Sequence, residues 1–194
     1  MFKTAVMSHC TAIGTKKAIQ SAKERIEAWP DITKTEMGWY RSKPGELKPA
    51  ANKREAEGFT YPPPSHNDRS HIHTHLLDGA RKWGGSMPSP EDFGTTALLL
   101  AQWNLRAWHI ASIDDCGMVA GYVSYAPTDD FVRLAKEYQA LLPGMLKYSV
   151  FDMEESAGKK EFLTYMLRKA FVRLHIKPMP GYRFDAGEGV FAKL

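Results

Sequence analysis

Cysteine is scarce in this chain. Cys10 and Cys116 are the only two, far apart, and no Cys-x-x-Cys pair occurs. That excludes a disulfide framework and makes a reducing compartment the plain expectation. Long apolar runs are also missing. None approaches the roughly 20 residues of a membrane helix, so no membrane span is expected. The opening MFKTAVMSHCTAIG has no continuous apolar core of the kind a cleaved secretory signal carries. The expected localisation is cytoplasmic, or exported by a route that leaves no such mark. Charge of one sign is not concentrated either. The net charge is +4, and Lys and Arg are spread along the chain rather than gathered into an aromatic-interleaved stripe. Nucleic acid is therefore not an expected partner. There is no internal repeat, low-complexity tract or clear linker.

What is present is an ordinary globular composition: 43% hydrophobic and 11% aromatic residues in 194. A chain of that length can bury a substantial core as one domain with an extra element. Ile19, Ala22, Ile26 and Trp29 recur at helical spacing, with Thr15 as a candidate cap, and Pro30-Asp31 stops that helix. ITKTEMGWYR (32–41) reads as a strand. The polar stretch SKPGELKPAANKREAEG reads as a loop or irregular hairpin, and PPPSHNDR as a further loop. Ser70 to His75 (SHIHTH) alternates like a short strand, which places His71, His73 and His75 on one face. After the glycine-rich DGARKWGGSMP, Ser89-Pro90-Glu91-Asp92 opens a helix predicted to run to about Gln102. Residues 106–113 and 118–126 read as two strands joined by the turn Asp114-Asp115-Cys116-Gly117. Beyond Pro127, Thr128 can cap a helix carrying Phe131, Leu134, Tyr138 and Leu141. A second helix is predicted over about 158–173, with Phe162, Met166, Ala170 and Phe171 inward. GYRFDAGEGVFAKL is expected to return as a strand. The expected organisation is a core over residues 1–128 and a helical extension over 129–194 packed on it.

The residues that carry chemistry are His73-x-His75, Ser89-x-x-Asp92 and, upstream, Glu36. Two imidazoles two apart on a strand project to one side and can share a metal. A carboxylate from the next helix can supply a third ligand. Three protein ligands leave a fourth position for water, as in catalytic zinc sites. Zinc lowers the pKa of such a water from about 15.7 to roughly 7. A nearby Glu can take its proton and pass it to a leaving amine, and a hydroxyl beside the metal can hydrogen-bond the developing oxyanion. Each part has a bland reading of its own: the Ser89–Asp92 segment is also a capping box, His-x-His is common on strands, and Glu36 alone reads as a solvated strand residue. The combination is what points to a metal. His71 shares the face and is a rival ligand, read first as a residue that supports the ligands or stands on the substrate side. His66 reads as a loop residue, His109 as a sheet-face histidine, Asp114-Asp115 as a turn, and Trp83 as an exposed loop aromatic.

Taken together, Glu36 in TEMGWY, His73-Thr74-His75 and Ser89-Pro90-Glu91-Asp92 resemble the signature of the JAMM (MPN-plus, JAB-like) metalloprotease family, nearest its bacterial and phage-type branch. The likeness covers roughly residues 15–126 and includes Gly38 two positions after the Glu. Leu76 stands where the family has Pro, and the loop before Ser89 is longer than the family's. The resemblance implies an α/β fold of the JAMM (cytidine-deaminase-like) kind, a mixed sheet flanked by helices, here with a helical C-terminal addition. It implies one Zn2+ per chain held by His73, His75 and Asp92, with Glu36 as general base and acid and Ser89 as oxyanion donor. The implied activity is a zinc-dependent peptidase or isopeptidase hydrolysing an amide bond. Its substrate would be a protein or peptide, ubiquitin-like conjugates included, as for a deubiquitinase-like effector or toxin. Two alternatives stand beside it. His71-Ile72-His73-Thr74 followed by Asp78-Gly79 resembles the first metal motif of PHP-type phosphoesterases, although only His109 and His175 remain downstream as further histidines. JAMM-like folds also occur as metal-free interaction modules.

Overall fold

The computed structural model describes residues 16–42, 47–49, 53–55, 58–60, 64–65, 67–77, 85–103, 105, 107–137 and 172–194. Helix α1 (Lys16–Glu27) carries Ile19, Ala22 and Ile26 on one buried stripe. Burying such side chains stabilises by roughly 1.5–3 kcal/mol each for the larger ones. The helix ends sooner than the stripe predicts. Trp29 lies past its end and packs edge-on against Trp39, ring centroids 5.9 Å apart. Asp31 takes a left-handed conformation (φ 58°), which Asp tolerates better than most residues. Its carbonyl accepts hydrogen bonds from the Lys34 and Thr35 N–H groups. That turn consumes the first part of the predicted 32–41 strand, so β1 is only Gly38–Arg41. Ile32 is buried with the α1 cluster instead. The candidate cap Thr15 lies outside the described residues.

The main sheet has six strands in the order β2-β1-β5-β6-β7-β8. These are β2 (Lys48–Pro49), β5 (Ser70–Leu76), β6 (Ala107–Ile113), β7 (Val119–Pro127) and β8 (Val172–Pro178) beside β1. The pair β5/β6 is parallel, joined through α2 (Pro90–Trp103), and every other pairing is antiparallel. The fold is thus α/β with a mixed sheet. The polar stretch after β1 contains a small separate hairpin, β3 (Lys53–Glu55) with β4 (Gly58–Thr60). Period-2 alternation sorts the sheet's side chains to two cores. One holds α1 residues with Trp39, Ile72, Ala111, Ile113 and Tyr122. The other holds Phe93, Leu99 and Leu100 of α2, Phe131 of α3 (Asp129–Glu137), and Trp108, Ile110, Val123 and Tyr125 of the sheet.

The final third is described over residues 129–137 and 172–194. Helix α3 is there, but Val172 and Arg173, placed by sequence at the end of a helix, begin strand β8, which adds to the free edge of β7. VRLHIKP is rich in β-branched and apolar residues that suit a sheet edge, and the Pro ends it. The rest of the predicted 158–173 helix, with Tyr138 and Leu141, lies outside the described residues. The terminal segment is a hairpin, β9 (Tyr182–Asp185) with β10 (Val190–Lys193), not a single strand. It is fastened at three points. The Phe191 ring lies over Gly121 of β7, where a Cβ would collide with it. The Phe191 N–H donates to Ser86 Oγ at 3.2 Å. Asp114 accepts from Tyr182 Oη at 2.7 Å and pairs with Lys193 Nζ at 3.0 Å.

Candidate metal centre

Strand β5 presents His71, His73 and His75 to the α2 side of the sheet. Helix α2 begins just above the carboxyl ends of the parallel pair β5/β6, where open α/β sheets generally bind ligands. Its first turn is fixed by a reciprocal capping box. The Ser89 N–H donates to Asp92 Oδ2 at 2.7 Å and the Asp92 N–H donates to Ser89 Oγ at 3.2 Å. The cap thereby aims the Asp92 carboxylate at the imidazoles. His73 Nε2 is 3.0 Å from Asp92 Oδ1, His75 Nε2 is 3.4 Å from Asp92 Oδ2, and the two Nε2 atoms are 3.1 Å apart. Burial alone would push the Asp92 carboxyl up, but the adjoining His73 and His75 outweigh it and hold the carboxyl well below the usual carboxylate range.

Those separations suit a cation. Four ligands at about 2.0–2.1 Å in a tetrahedron lie about 3.3 Å from one another. Hydrogen bonds alone serve the cluster poorly. His73 Nε2 faces both His75 Nε2 and Asp92 Oδ1, and a single N–H cannot point at both. A central positive charge satisfies all three donor atoms at once. His73, His75 and Asp92 form a group that could hold a metal ion. No family model matches the chain, and no curated protein and no solved structure matches it either.

Glu36 is buried two residues before β1. In the antiparallel register Gly38 faces His73 and Tyr40 faces His71, so continuing that register sets Glu36 opposite His75. Its segment is held by Thr74, the residue between the two histidines. Thr74 Oγ1 accepts from the Met37 N–H at 2.8 Å, and the Thr74 N–H donates to the Met37 carbonyl at 2.9 Å. Alternation sends the Thr74 side chain to the opposite face from the imidazoles, where it ties the residue before β1 to β5.

His71 stands apart from the ligand cluster. Its ring is fully buried between Tyr40 and Trp108, centroids 5.4 and 5.1 Å away, and is stacked on His73 at 5.3 Å. Burial, reinforced by His73, holds its pKa well below the ordinary imidazole value, so the ring is neutral. It packs behind His73, its ring stacked on that of His73. His109 is on the other face. Its Nδ1 is 2.8 Å from Ser124 Oγ, and burial lowers its pKa to about 3. A second cluster, Asp114, Asp115 and Cys116, also has metal-like spacing, but the Lys193 ammonium, 3.0 Å from Asp114 and 3.7 Å from Asp115, supplies its positive charge. Asp78, His66 and Trp83 lie outside the described residues.

Proposed function

We propose that this protein is a zinc-dependent hydrolase of amide bonds of the JAMM type. His73, His75 and Asp92 hold the metal, Glu36 is general base and acid, and Ser89 is oxyanion donor. The observation that carries this reading is the convergence of two imidazole nitrogens and a carboxylate at tetrahedral-edge spacing. They meet at the strand ends beside the segment that carries Glu36. When bound, the metal supplies Lewis acidity toward a scissile carbonyl and acidifies a water.

The chain's own groups do the rest. The Glu36 carboxylate accepts the proton of the attacking water and returns it to the departing amine, which would otherwise leave as an unstable anion. The Ser89 hydroxyl oxygen is occupied as an acceptor by the Asp92 N–H, which leaves its O–H to donate toward the oxyanion. The N-terminal end of α2 adds its partial positive charge on the same side. An isopeptide or peptide bond fits this machinery, with ubiquitin-like conjugates as the substrate class to screen first. The position of His71, enclosed by rings and outside the ligand cluster, gives no support to a phosphoesterase centre built from His71 and His73.

The test is metal analysis of wild type and His75→Ala, paired with a cleavage screen on ubiquitin chains and ubiquitin-like fusions. The expected result is about one zinc per wild-type chain, nearly none in the variant, and cleavage by the first alone. Stoichiometric zinc in a folded His75→Ala contradicts the ligand set.

A further inference from the structure

Strand β6 runs parallel to β5 in register, so His75 and Ser112 are direct neighbours about 4.8 Å apart in the pairing direction and project to the same face. Both stand one residue before the carboxyl ends of their strands. Ser112 is fully buried, yet its Oγ has no hydrogen-bond partner among the described residues. Buried hydroxyls are normally satisfied, and one left unsatisfied calls for a reason. Its other neighbour across the sheet is Gly121, over which the Phe191 ring sits. On that side Ser112 is therefore walled by an apolar ring that offers no partner. The ladder is irregular at this point, with a register shift between Ser112 and Ile113. Bulges of this kind are frequent next to functional sites, where they re-aim a side chain.

We propose that Ser112 is a further binding group of the metal centre. Its hydroxyl hydrogen-bonds an amide-like ligand held between His75 and the Phe191 wall. This rests on the zinc-hydrolase reading and extends it: Ser89 serves the carbonyl oxygen from above, on α2, while Ser112 contacts the same amide group from the floor of the sheet. A hydroxyl can both donate and accept, so it can meet either the oxygen or the N–H of a planar amide. The ligand that belongs here carries both, which a simple ester does not.

Acetohydroxamate, a small metal chelator with an amide-like N–H, is the probe. Its dissociation constant would be measured by calorimetry on zinc-loaded wild type, Ser112→Ala and Ser124→Ala, with zinc content and melting temperature alongside. Ser124 is a buried serine on the opposite face whose Oγ is already paired with His109. Ser112→Ala is expected to keep its zinc, to melt no lower than wild type because it loses no internal bond, and to bind the probe roughly 3- to 10-fold more weakly. Ser124→Ala is expected to bind it as wild type does. Zinc-loaded Ser112→Ala with unaltered probe affinity overturns the inference alone, and a lowered melting temperature with unaltered affinity assigns the hydroxyl to packing and overturns it as well. Wild type that holds no zinc removes the centre and this inference with it.

Discussion

Replacing Gly121 by Ala is a one-methyl change with a large expected effect. A Cβ there would come within 2.7 Å of three atoms of the Phe191 ring, whereas carbon atoms pack best at about 3.5–4.0 Å. The ring must withdraw by about an ångström, and Phe191 is buried. If hairpin β9–β10 shifts as a body, the cost is that of overpacking, about 1–3 kcal/mol. If the ring is expelled, the loss approaches that of truncating a buried Phe, about 3–5 kcal/mol. For a chain of this length each kcal/mol lowers Tm by roughly 2–4 °C. The assay is urea and thermal unfolding of Gly121→Ala, Phe191→Ala and the double variant. With the ring gone, the added methyl has room, so the two changes should be non-additive, with a coupling of about 0.5–3 kcal/mol. A Gly121→Ala protein as stable as wild type, or strictly additive costs, would refute the packing of the terminal hairpin on β7.

Three further outcomes follow from the site and its supports. Ser89→Ala should lose about 1 kcal/mol of stability with its cap and about 10²–10³-fold of turnover with its oxyanion contact; full activity in the folded variant would leave only the cap. Thr74→Val should leave the Met37 N–H without its acceptor, costing about 1–3 kcal/mol, and should lower turnover while zinc stays bound, so unchanged stability by urea titration would count against this tie. Burial, aided by the charges of Arg41, His73 and His175, holds His109 down to about 3, against about 6.5 unfolded. The unfolded chain therefore binds a proton the folded chain refuses, and stability, complete above pH 6.5, falls as pH drops below it, by about 2 kcal/mol at pH 5. His71 acts in the same direction. His109→Gln should flatten the urea midpoint against pH between 5 and 7, and an unchanged slope would contradict this.

The site was more legible in the sequence than the fold's second half. His73, His75 and Asp92 announce themselves because strand alternation and a capping box are local rules, and both operate here as local rules predict. Helix α2 and strands β6 and β7 fall within a residue or so of expectation for the same reason. The early part of β1 was misread because Asp31 adopts a left-handed turn that no apolar pattern records. Strand β8 has no local signal, with Val172 and Arg173 assigned to a helix end and the rest unassigned, because a short apolar run looks alike in a helix and at a sheet edge, and only its pairing with β7 decides. Long-range ties left no trace in local spacing. Ser86 bonds to Phe191, Asp114 to Tyr182 and Lys193, and Ser112 stands beside His75 only because β5 and β6 are parallel.

A metal centre with Glu36 as its proton carrier can be tested by one paired measurement. Zinc content and amide-bond cleavage would be determined side by side on wild type and Glu36→Gln. The substitution keeps the size and hydrogen-bonding capacity of the side chain but removes the carboxylate that accepts a proton. About one zinc per chain is expected in both proteins, with cleavage by the variant reduced about 10²-fold or more. Equal cleavage by the two, or no zinc in wild type, would contradict it.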